Sequence, residues 1–153
     1  MNIVLGLIIL FVCIGVGYVS AKRYTIRKEF YCDFYEFNKV LKNEISFSQK
    51  TIEDIISKNR KDSEFYKCIN AYYTSEKIDY EEIRLDETEK EFFISYFNSI
   101  GKSDRETQIK FLDSVSDEIK HKFDLTRDEE KQYKSLYFKM SILCGLLLFV
   151  IVL

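Results

Sequence analysis

The stretch MNIVLGLIILFVCIGVGYVSA, residues 1–21, holds no charged side chain, and neither does MSILCGLLLFVIVL, residues 140–153. All 23 Lys and Arg and all 25 Asp and Glu of the 153-residue chain lie between these two ends. At about 1.5 Å per residue, a helix over the first stretch covers roughly the 30 Å hydrocarbon core of a bilayer. The second stretch reaches only about 21 Å, and Leu136, Tyr137 and Phe138, with Lys139 snorkelling to the surface, make up most of the shortfall. This reads as two transmembrane spans, residues 1–21 and 136–153, enclosing a charged domain at 22–135. The competing readings are a cleaved leader ending at Val19-Ser20-Ala21 and a C-terminal helix lying along the membrane surface. A leader usually carries its positive charges before the apolar run, whereas here they follow it.

Orientation follows from the same charges. Lys22, Arg23, Arg27 and Lys28 crowd the downstream end of the first span, and Lys131, Lys134 and Lys139 precede the second. The positive-inside rule then puts the central region in the cytoplasm and both termini on the far side. Cys32 and Cys68 fall in that cytoplasmic region without metal-ligand spacing, so reduced thiols are expected.

The central region reads as helical throughout. Proline is absent, four of the five glycines lie in the apolar ends, and no Asn-Gly or Asp-Gly hairpin signal occurs. Ile26, Phe30, Phe34, Phe37, Leu41 and Ile45 recur at three- and four-residue steps, which continues the first helix to about Phe47. A short helix is expected near residues 50–58 on Ile52, Ile55 and Ile56. Asp62 or Ser63 can cap a third, with Phe65, Ile69, Tyr72 and Tyr73 as its face. Residues 75–85 suggest a loop with one helical turn. Asp86 and Glu89 form a capping box for a helix bearing Phe93, Tyr96, Phe97 and Ile100. In SIGKSDRETQIKFLDSV, residues 99–115, Gly101 can close that helix, and Ser103 with Glu106 can open the next. Ile109, Leu112, Val115, Ile119 and Phe123 give the last helix a buried stripe. The expected fold is an all-α, membrane-anchored bundle of about six helices, whose long antiparallel first and last members continue into the bilayer. Gly17 and Ala21 in one span and Ser141 and Gly145 in the other have the small-xxx-small spacing that permits close helix approach, and are expected to form the contact between spans.

Signs of chemistry are missing. His121, in DEIKHKFD, is the single histidine and falls among charges, away from any candidate nucleophile. No glycine-rich phosphate loop, Cys-x-x-Cys pair or His-Glu-x-x-His helix occurs, so no catalytic residue, cofactor or metal is assigned. The pairs Glu106 with Lys110 and Glu118 with Lys122 have i,i+4 spacing and need no catalytic explanation. A net charge of −2 without a basic stripe argues against nucleic acid, despite 13 Phe and 11 Tyr. Tyr31, Tyr35, Tyr66, Tyr72 and Tyr80 lie off the main stripes, where tyrosines can mark a protein-binding face.

End to end, the pattern resembles the stage III sporulation protein AB family of endospore-forming bacteria. The resemblance rests on AKRY (residues 21–24) after the first span, LKNEISF (41–47) closing the first long helix, and IGKSDRETQ (100–108), where Gly101, Asp104 and Gln108 carry the most specific spacing. One departure is Lys50-Thr51-Ile52, where the family usually has a proline. The resemblance implies a non-enzymatic subunit of the channel complex between mother cell and forespore, seated in the mother-cell membrane. It implies a helical domain similar to the cytoplasmic domains of secretion-type platform proteins, available to the complex's AA-type ATPase and other channel subunits. On this view the lipid bilayer is a partner, homo-oligomerisation is open, and Lys102, Asp104, Arg105 and Gln108 are the candidate partner-binding residues. A membrane-anchored signalling or adaptor protein is the competing class.

Overall fold

The computed structural model describes residues 2–47, 52–58 and 61–152. Five helices account for the regular structure among them: α1 (Asn2–Phe47), α2 (Ile52–Lys58), α3 (Glu64–Thr74), α4 (Glu87–Ser99) and α5 (Arg105–Val152). The chain is thus all-helical, with five helices rather than about six. Between α3 and α4, residues 81–84 form a single turn, as expected for that loop, closed by Arg84 N–H donating to the Tyr80 carbonyl at 2.8 Å. The expected start of the second helix at Lys50 and Thr51 falls outside the described residues.

Contacts divide the chain into two units, Glu29–Asp124 and the pair Met1–Lys28 with Leu125–Leu153. In the first, the aromatic stripes meet. Phe30, Phe34 and Phe37 of α1, Phe65 of α3, and Phe93, Tyr96 and Phe97 of α4 are all buried. Phe34 stands edge-on to Tyr96 with ring centroids 4.8 Å apart, and stacks on Phe65 at 5.2 Å. Such pairs add about 0.5–1.5 kcal/mol each beyond the area they bury. Leu41, Ile55, Ile69, Leu112 and Ile119 close the core with aliphatic contacts.

Local signals set the helix ends. Asp86 accepts a hydrogen bond from Glu89 N–H at 2.8 Å while the Glu89 carboxylate accepts from Asp86 N–H at 3.0 Å, a complete capping box. Ser63 occupies the N-cap of α3 without a side-chain cap bond, and its hydroxyl is buried without a partner among the described residues. Ser75 ends α3 in the left-handed conformation (φ 56°). Long-range polar links tie the helices together. Lys61 bridges Asp33 at 2.9 Å and Glu36 at 2.6 Å, and Lys42 of α1 pairs with Asp113 of α5. Asn38 sits fully inside, receiving a bond from Tyr96 Oη at 2.9 Å and donating Nδ2 to the Leu112 carbonyl at 3.1 Å.

The aromatic face expected to be exposed is largely absent: Tyr31 and Tyr66 are buried in the core, while Tyr35, Tyr72 and Tyr80 are half-buried. A core built from so many rings needs more than one stripe per helix to surround them. Burial pushes the Cys68 thiol up to about 12, which keeps it protonated, and it serves as core filler.

Candidate functional site

The unit formed by Met1–Lys28 and Leu125–Leu153 is an antiparallel pair of helical segments with one register throughout. A Cβ built on Gly6 meets the Phe149 ring at 2.7 Å. One on Gly145 meets Cys13 Cβ at 3.3 Å and Leu10 at 3.6 Å, and one on Gly17 would overlap Ser141 and lie 3.2 Å from the Tyr137 carbonyl. The register continues through Tyr24, which stacks on Tyr133 at 4.9 Å and touches Tyr137 at 5.9 Å. At Gly17 an added side chain would force the backbones apart, whereas at Gly145 the neighbours need give only slightly. Gly15 has nothing within 4 Å of its Cβ position. Of the four small residues singled out, Gly17 therefore faces Ser141, Gly145 faces Leu10 and Cys13, and Ala21 is 5% exposed.

The outward faces of this pair are apolar and bare. Phe11 is 69%, Val150 70% and Ile151 71% exposed, values that water would penalise and a hydrocarbon solvent would not. The two long helices are apolar and long enough to cross a membrane. At one end of the apolar stretch a polar cluster forms around Glu130. It accepts from the Thr25 hydroxyl at 2.9 Å and pairs with Lys28 at 3.0 Å and Lys134 at 3.5 Å. Burial would raise this carboxyl, but the bonds from Lys28 and Thr25 outweigh it and hold Glu130 below the usual carboxylate range.

The second region of interest is the turn between α4 and α5. Gly101 takes φ 77°, a conformation other residues reach only with strain. Its N–H donates to Gln108 Oε1 at 2.9 Å, and the Ser103 hydroxyl reaches the same oxygen at 3.4 Å. The cap of α5 comes from Asp104, whose carboxylate accepts from Thr107 N–H at 3.2 Å, and not from Ser103 as the spacing to Glu106 suggests. The Thr107 bonds hold the Asp104 carboxyl below its ordinary value. Glu106 instead pairs with Lys110 at 2.7 Å, one turn along the exposed face. Gln108 is 3% exposed with Nε2 buried and without a hydrogen-bond partner among the described residues, so it organises the turn from beneath. The candidate partner-binding residues thereby separate: Lys102, Asp104 and Arg105 are exposed, while Gln108 is not.

Reasoning from spacing missed two features. Lys122 reaches the buried Glu89 carboxylate at 3.7 Å, a long-range link that no local pattern signals. Asn38 gives no signal either, since a polar residue within an apolar stripe looks like an interruption until its partners are known. His121 is exposed, and among the described residues no cluster of His, Cys, Asp and Glu could hold a metal ion.

Comparison with known proteins gives one finding. A family model described as stage III sporulation protein AB matches residues 58–153, well over half of the chain. No curated protein and no solved structure matches.

Proposed function

From the premise that the chain belongs to the stage III sporulation protein AB family, and so has a role in sporulation, we propose that it is a non-enzymatic platform subunit of the channel complex joining mother cell and forespore. Two spans anchor it in the mother-cell membrane, with residues 22–135 in the cytoplasm and both termini on the far side. Its cytoplasmic helices present a docking surface to the complex's AA-type ATPase. The observation that supports this most is the antiparallel helical pair with glycine-mediated contacts inside and bare apolar faces outside. The second support is stiffness. α1 and α5 run 46 and 48 residues without a proline to kink them, so a displacement applied at one point passes along the axis.

On this reading the exposed residues of the α4–α5 turn, Lys102, Asp104 and Arg105, are the first place to look for the ATPase contact. The test is co-purification of the ATPase with the full chain from sporulating cells, comparing wild type with Lys102→Glu/Arg105→Glu. The platform reading expects the ATPase with wild type and a loss of tenfold or more in the variant. Full capture by a folded variant removes the turn from the interface, and no capture by the wild-type chain removes the ATPase from the proposal.

A further inference from the structure

We propose that the helical pair carries a binding collar for anionic phospholipid headgroups at the cytoplasmic end of its apolar stretch, selective for anionic over zwitterionic lipid. The proposal rests on the two-span reading above. Its first ground is charge segregation. The segments Met1–Lys28 and Leu125–Leu153 hold eight Lys and Arg against three Asp and Glu, while Glu29–Asp124 holds fifteen against twenty-two. A chain of net charge −2 thus keeps its positive excess beside the apolar segments.

The second ground is which of those charges are available. Of the three acids in these segments, Glu130 is turned inward and already engaged by Thr25, Lys28 and Lys134, which leaves Asp128 and Glu129 against the basic residues. Lys22, Arg23, Lys131 and Lys139 are exposed, and among the described residues none of the four is held in an ion pair. The register of the pair sets Lys22 and Arg23 level with the turn of α5 around Lys134. Lys139 lies about one turn deeper, from which a lysine stem can reach the surface.

The third ground is the tyrosine group. Tyr24, Tyr133 and Tyr137 form one aromatic cluster where the apolar stretch gives way to charge. Tyrosine favours headgroup depth because its ring is apolar and its hydroxyl can donate to a phosphate or ester oxygen. Lysine and arginine beside phenolic donors match a phosphodiester that carries a net negative charge. A choline headgroup cancels that charge and would gain little.

The test uses the full chain reconstituted into bilayer discs of equal phosphatidylglycerol and phosphatidylcholine, then extracted gently and its retained lipid quantified by mass spectrometry. Wild type should retain phosphatidylglycerol about fivefold or more over phosphatidylcholine, since each surface basic residue contributes about that factor. The Lys22→Gln/Arg23→Gln/Lys139→Gln variant should fall to near parity. Lys58→Gln/Lys77→Gln/Lys120→Gln, the same charge change elsewhere, should match wild type, with helix content checked for all three by circular dichroism. Parity in an inserted wild-type chain overturns the collar and leaves the two-span reading standing. Equal loss in both variants overturns it as a mere net-charge effect, and displacement of the lipid by millimolar inorganic phosphate overturns lipid selectivity. A chain that fails to insert at all, judged by extraction at high pH, overturns the two-span reading itself.

Discussion

Replacing Gly17 with leucine should separate the two apolar helices, and Gly15 two residues away supplies the control. A Cβ at 17 would overlap Ser141 and press on the Tyr137 carbonyl, both fixed by helix backbone, whereas a Cβ at 15 meets nothing within 4 Å. Overpacking of this kind costs about 1–3 kcal/mol. Leucine also gains about 1 kcal/mol over glycine in helix propensity, but that gain is common to both variants and cancels in the comparison. Gly17→Leu should therefore weaken the pair by about 1–3 kcal/mol relative to Gly15→Leu, a factor of roughly 5 to 150 in the ratio of closed to open pairs. The assay exploits a native thiol. A Cβ at 145 lies 3.3 Å from Cys13 Cβ, close to the separation a disulfide needs, so Gly145→Cys in a Cys144→Ser background should crosslink rapidly to Cys13 under mild oxidation. Adding Gly17→Leu should slow that reaction, by up to the same factor once the open pair predominates, while adding Gly15→Leu should leave it unchanged. Equal rates in the two leucine variants would refute the packing argument, and no crosslink in the starting background would refute the register.

Three further outcomes follow from the geometry. Asn38→Ala strands the Tyr96 hydroxyl and the Leu112 carbonyl in the core, and should cost about 2–5 kcal/mol by denaturant unfolding of the full chain in detergent; a cost under about 1 kcal/mol would mean the network is not closed. Glu130 is held below its ordinary value of 4.5, so its contacts add stability above that pH and lose it as pH falls through the lower folded value. Unfolding midpoints of wild type and Glu130→Gln should differ at neutral pH and converge in acid, and a gap that persists or widens in acid contradicts the assignment. Gly101→Ala, forced to φ 77°, should cost about 1 kcal/mol of strain, read as faster amide exchange at the start of α5, whereas unchanged exchange there would show the turn relaxing freely.

How far the residues alone reveal this structure depends on whether a feature is periodic. Phe30, Phe34, Phe37 and Leu41 repeat at helical spacing and are all buried, as are Phe93, Tyr96 and Phe97; local pattern suffices because one stripe must face the core. Tyr31 and Tyr66 are equally buried but lie off those stripes, since an aromatic core surrounds its rings from several helices at once. The spacing to Glu106 points to Ser103 as the cap of α5, but the cap bond comes from Asp104. The choice falls to Asp104 because Gly101 and Ser103 are both drawn to Gln108. Burial of Gln108 has no signal along the chain, and it removes one of four candidate contacts. Glycine spacing in the spans suggested close approach, but only the register shows that Gly145 meets Leu10 and Cys13.

Membrane topology decides whether the two apolar ends cross the bilayer around an interior domain. With the chain expressed in bacterial membranes, single cysteines at the exposed positions Ser57 and Lys120 and a cleavable tag at each terminus can be probed with membrane-impermeant reagents in intact and opened cells. The account predicts both tags accessible from outside in intact cells, and positions 57 and 120 labelled only after the membrane is opened. Labelling of 57 or 120 in intact cells, or protection of either tag, would contradict it.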